Sequence, residues 1–211
     1  MTVQALRSLG WYNLKLTAHY SWLLSVVLLA AVPFFMDPEL MDWGSAARLG
    51  ELLISFLGLI VYPHLVMMED GGIGEVLYSK RVRHTPVFLF RWMTTTVFVV
   101  LLIAAFFGTL QLFGADFPLW PMAGGVAVTA VVLGAGGMIA ALLLRNLSGG
   151  YIAGFAWYLL EYTTKGRLTG DFYLFGLLSA GGWDRSKWLL AGLSLVLAVL
   201  CALLLPSRRL D

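Results

Sequence analysis

Few residues in this 211-residue chain have the types and spacing to do chemistry. Glu75, Ser79 and Arg83 recur every fourth residue and would share one helix face. An acid, a hydroxyl and a guanidinium in a row suit docking to a soluble partner better than catalysis. Ser148, in Leu147-Ser148-Gly149-Gly150, could act as a nucleophile with His64 or His19 as base. It is explained more simply as the N-cap of the helix that follows. Glu69 and Asp70 stand together as in some metal-dependent proteases, but no histidine pair follows at helical spacing. The single cysteine, Cys201, excludes an intrachain disulfide and any cysteine–histidine metal spacing. No metal ligands are assigned. No G-x-x-x-x-G-K-[ST] loop occurs, and Asn146 to Gly150 contains no lysine, so the chain has no phosphate loop with which to hydrolyse ATP.

The elements that must position these residues follow from composition. The chain is 60% hydrophobic and 12% charged, whereas soluble domains carry about 25% charged residues. The apolar residues come in blocks, which is the pattern of a membrane protein. The expected fold is an all-α membrane protein of one domain, 1–211, with six transmembrane helices at about 22–36, 49–68, 93–113, 122–144, 149–162 and 188–205. Pro63 should kink the second span. Residues 1–20 show imperfect amphipathic spacing and are expected to lie as an N-terminal interfacial helix. They lack the continuous apolar core and cleavage site of a signal peptide. Residues 172–180 are apolar but too few to cross a bilayer, so a re-entrant or interfacial segment is expected between spans five and six.

Orientation follows from the basic residues. With both termini on the cytoplasmic side of the cell membrane, nine of the 14 Lys and Arg fall inside. Arg48, Lys165, Arg167, Arg185 and Lys187 fall outside. Trp22, Trp43, Trp92, Trp120, Trp183 and Trp188 lie near span ends, as an interfacial belt requires. Gly150 and Gly154 form G-x-x-x-G, and Gly136/Ala140 and Gly137/Ala141 give further small pairs for close packing, within one subunit or across a dimer. Glu161, Lys165, Arg167, Asp171 and Asp184 cluster around the excursion between spans five and six.

The longest basic interruption, residues 68–84, holds the docking set. Gly71, Gly72 and Gly74 break the helix that leaves the second span. Ile73, Val76 and Leu77 then share an apolar face, which predicts a short amphipathic helix on the membrane surface.

This stretch resembles the segment G-T-x-E-L-L-L-S after the second span of type-2 ABC transporter permeases. Gly72-Ile73-Gly74-Glu75-Val76-Leu77-Tyr78-Ser79 falls on it without a gap. Val82, His84 and Arg91 fall on later valine and basic positions, while the family's proline is Arg81 and its threonine Ile73. The resemblance implies a half-size exporter permease that pairs with a second permease subunit, identical or related. A separate ABC ATPase subunit would bind ATP and Mg; the chain itself would be no enzyme and carry no cofactor. It further implies that residues 73–83 form the cytoplasmic coupling helix, with Glu69, Gly72, Gly74, Glu75, Ser79 and Arg83 meeting the ATPase. Phe155, Tyr158, Phe172 and Tyr173 are candidates for the translocation path, which would suit an amphiphilic peptide, drug or lipid-like substrate. The partners expected are thus protein subunits and the lipid bilayer, not nucleic acid. The alternatives are a non-transporting membrane assembly or regulatory protein and, less favoured, an intramembrane hydrolase built on Ser148.

Overall fold

The computed structural model describes residues 20–35, 39, 41–67 and 84–207. All regular structure among them is helical. In chain order the helices are α1 (Tyr20–Ala31), α2 (Trp43–Leu49), α3 (Phe56–Val61), α4 (Pro63–Met67), α5 (His84–Leu112), α6 (Leu119–Leu144), α7 (Leu147–Thr164), α8 (Gly176–Ala180) and α9 (Arg185–Ser207). A 3-10 turn, Val32–Phe35, extends α1. A π-helical turn, Gly50–Ile54, joins α2 to α3. Four stretches are long and apolar enough to cross a membrane: Trp43–Met67, Thr85–Leu112, Leu119–Leu144 and Arg185–Leu205. They make this a membrane-embedded type of bundle.

The other two expected spans are shorter. Tyr20–Phe35 is a shorter apolar helix, and its 16 residues would reach about 24 Å at 1.5 Å per residue. The 18 residues of α7 would reach about 27 Å, against a hydrocarbon core of about 30 Å. The segment 1–19 and the predicted coupling helix at 73–83 lie outside the described residues.

The bundle is organised around α6. Its sequence is apolar on every side and rich in alanine and glycine, so it can be buried all round. The small residues set the packing distance. A Cβ on Gly58 of α3 would lie 1.7 Å from the Ala130 carbonyl oxygen, and one on Gly134 would lie 2.6 Å from the Gly58 oxygen. The two backbones therefore touch. Against α7, a Cβ on Gly150 would lie 2.6 Å from both Ala141 Cβ and Gly137 O, and Gly154 makes room for Leu59. The G-x-x-x-G pair thus serves packing within the chain.

α5 and α9 bury one side and expose the other. Phe88, Trp92, Val99, Ile103 and Phe107 face the core, while Met93, Val97, Val100 and Leu101 are exposed. On α9, Leu195, Val196, Val199, Leu200 and Leu203 are exposed. Apolar stripes of this extent need a lipid or protein cover.

Several boundaries differ from the sequence reading. α5 begins at His84, not near residue 93, because Pro86 falls in the first turn, where its missing N–H is harmless. Trp92 and Arg91 therefore lie inside the helix and are buried. Trp92 packs 6.5 Å from the Tyr62 ring, so it belongs to the core and not to an interfacial belt. The helix does break beside Pro63, with a turn at Tyr62. The π turn before it had no signal in the sequence. α7 is capped by Asn146, whose side chain accepts from the Ser148 amide at 2.9 Å. Ser148 is therefore not the cap, because the helix starts at Leu147, two residues before the expected Gly149.

Candidate functional site

Four elements converge on a wholly buried ion pair, Glu51 and Lys187. Glu51 sits in the π turn, whose wider ring turns Gly50, Glu51 and Ile54 inward together. The turn closes through Ser55 N to Gly50 O at 2.9 Å, and the Ser55 hydroxyl donates to Glu51 O at 2.6 Å. Such turns recur at functional positions in helices. Lys187 occupies the first turn of α9, where Arg185 N is capped by the Asp184 side chain at 2.6 Å.

The Lys187 ammonium donates to Glu51, to Thr129 Oγ1 at 2.7 Å and to the Leu174 carbonyl at 2.8 Å. All three of its protons are used. The Glu51 carboxylate also accepts from Leu177 N and Leu178 N, each at 3.1 Å. These are amides of the first turn of α8, which α8 itself cannot satisfy. A carboxylate from the second span thereby caps a helix 126 residues further on. Gly176 belongs to the same construction, since a Cβ there would lie 2.5 Å from Ser186 Oγ.

Glu161, near the end of α7, is also wholly buried. Its Oε2 accepts from Thr169 Oγ1 at 3.0 Å and Leu174 N at 3.4 Å. Its Oε1 has no partner among the described residues. The segment from Thr169 to Leu178 is thus tied by two carboxylates and one ammonium. Tyr173, on this segment, has its phenol pKa raised, first by burial and then by the nearby Glu51 and Glu161 carboxylates. Lys187 has no proton left over, and Glu51 accepts from three protein donors. The arrangement holds an element in place.

The sequence-chosen aromatic residues partly gather here. Tyr158 and Tyr173 lie against Phe175, with ring centroids 5.2 and 5.7 Å away, and Phe155 stacks on Tyr158 at 6.3 Å. Tyr158 also donates to the Leu52 carbonyl at 3.0 Å. Phe172 is exposed on the 3-10 turn Gly170–Phe172. Glu69, Gly72, Gly74, Glu75, Ser79 and Arg83 lie outside the described residues. His64 Nε2 hydrogen-bonds Tyr151 Oη at 2.8 Å, and Ser148 is exposed at the start of α7. No group of three or more metal-ligating side chains occurs among the described residues.

Sequence reasoning missed the pair. Its signal was present: Glu51 is the only carboxylate within the predicted second span, and an ionisable residue inside a span needs a partner and a purpose. No protein-family model matches the chain, and no curated protein or solved structure is significantly similar to it.

Proposed function

We propose that the chain is the permease subunit of an ATP-driven exporter of the ABC type, spanning the cell membrane six times with both termini inside. The observation that carries this reading is the order of helices. The shorter α1 precedes, and α7 interrupts, four helical stretches long and apolar enough to cross a membrane, and the short α8 is pinned between α7 and α9 by a buried carboxylate. A permease needs its outer elements fixed to the bundle, so that a push at the inner side moves helices and not loops. The G-x-x-x-G packing of α6 on α7 favours the same reading, since closely packed helices shift as one body.

In this reading α1 and α7 are the first and fifth spans, with ends completed in the interface. The amphipathic stretch 73–83 meets the ATPase through Glu75, Ser79 and Arg83. Two copies, or this chain and a related one, enclose the path, and the substrate is amphiphilic. ATP and Mg reside on the partner.

The test is to purify the tagged chain from its native membranes under mild detergent and weigh the complex. The reading expects two permease and two ATPase subunits, with ATP hydrolysis in the preparation. A chain recovered without any nucleotide-hydrolysing partner would instead mark a membrane assembly protein.

A further inference from the structure

At the end of the bundle that holds the ion pair, a cleft of about 670 Å³ opens between α2, the end of α7 and α8. Its walls are aromatic and apolar: Trp43, Tyr162, Tyr173, Phe175, Leu177 and Leu178. Its charged lining consists of Arg48 and Lys165, both exposed, and no carboxylate lines it. A second cleft of about 490 Å³ shares Thr163 and Lys165 and adds Arg167. None of these three cations has a carboxylate within ion-pair distance among the described residues. Asp42, whose carboxylate is bound by Ser45, feels the charge of Arg48 without pairing to it. The buried acids beneath are committed elsewhere, Glu51 to Lys187 and Glu161 to Thr169 and Leu174.

We propose that this cleft binds an acidic phospholipid from the surrounding bilayer. Arg48 and Lys165 would hold the anionic headgroup, and the aromatic wall would receive the start of the acyl chains. Three observations support a built site. Lys165 is held at φ 51° at the end of α7, a region that glycine occupies at lower cost, so a cation is kept where a bare backbone would suffice. Gly166 follows at φ 76°, and a Cβ there would lie 2.7 Å from the Tyr173 ring, so the missing side chain admits the aromatic wall. Trp43 lines the cleft, and its indole N–H has no acceptor among the described residues. The cleft also lies where the membrane-crossing helices end, with Trp120, Trp183 and Trp188 exposed at the same end. That is the depth at which headgroups lie. A soluble anion would find the two cations but would have no use for the apolar wall. The proposal holds whether or not the chain carries a transport path.

The test uses the purified full chain in mild detergent and native mass spectrometry. Phosphatidylglycerol and phosphatidylcholine of matched chains are the probes. Phosphatidylglycerol should bind one site tightly and phosphatidylcholine weakly. An exposed ion pair contributes up to about a fivefold factor in affinity, so Arg48→Ala with Lys165→Ala should weaken phosphatidylglycerol by up to about 30-fold. Arg48→Lys with Lys165→Arg keeps both charges and should keep the binding. Arg185→Ala removes an exposed cation at the same end that does not line the cleft, and should change little. Equal binding of both lipids, an unaffected alanine pair, or an equal loss in Arg185→Ala or in the charge-keeping pair would overturn the proposal. Displacement of the lipid by inorganic phosphate at matched concentration would also overturn it, since the site would then be one for free anions.

Discussion

Lys187 puts the largest local energy at stake. Buried charges are tolerated because each satisfies the other, so removing one leaves an uncompensated ion in an apolar interior. Lys187→Met should cost about 3–5 kcal/mol, read as a lower unfolding temperature of the detergent-solubilised chain. Adding Glu51→Gln removes the orphaned charge and keeps one acceptor oxygen for the Leu177 or Leu178 amide, so the double variant should recover part of the loss. If the double variant is no more stable than Lys187→Met, the pair is not coupled. Asp42 acts at the same scale and on the surface. Its side chain accepts from the Ser45 hydroxyl at 2.5 Å and the Ser45 amide at 2.9 Å, and these bonds lower its pKa below the ordinary 3.8. A carboxylate with a depressed folded pKa adds stability that is complete above its unfolded value and is lost as pH falls through the folded one. The protection of the Ser45 and Ala46 amides, measured as exchange relative to the intrinsic rate at each pH, should therefore fall on acidification below that value, and Asp42→Asn should leave that protection independent of pH. Of these groups, the Asp42 cap could have been read from its place before Trp43-Gly44-Ser45. The partnership of Glu51 with Lys187 could not, since 136 residues separate them and only the fold brings them together.

At the scale of elements, the account rests on the closeness of α3 to α6. Gly58→Ala should be strongly destabilising, because its Cβ would overlap the backbone of Ala130 and neither helix can yield alone. Overpacking of this kind costs about 1–3 kcal/mol or more, and yield and thermal unfolding would measure it. Gly108→Ala, in α5, meets nothing within 4 Å and should be neutral or slightly stabilising, since alanine is the better helix former. Were both substitutions equally tolerated, the packing of α3 on α6 would be wrong. The helices themselves were legible, because long apolar runs have few alternatives. Their ends were less so. The sequence places the third span from about residue 93, yet α5 already runs from His84, with Pro86 in its first turn and Arg91 inside it. The π turn at Gly50–Ile54 leaves no mark in periodicity, since one extra residue in a helix apolar on most sides shifts no pattern. The apolar run from Phe172 to Ala180 reads in the sequence as a re-entrant or interfacial segment, with no helix assigned inside it. It is a 3-10 turn followed by the five-residue α8, made possible by a carboxylate cap from far along the chain.

For the whole molecule, the sequence conveyed class and general order better than depth. The four long spans follow from apolar length alone. The shorter α1 and α7 depend on how interface and partners cover their ends, which no local pattern records. Exposed apolar stripes on α5 and α9 would face lipid or a second subunit in the proposed permease. The coupling segment joins α4 to α5, so the proposal makes this junction the place where work enters the bundle. The decisive measurement is made there. Glu75→Lys reverses one charge on the proposed contact and leaves the spans untouched. The account predicts that the altered chain inserts into the membrane at parental levels but loses its ATPase on purification. Recovery of the ATPase at the parental ratio would contradict it.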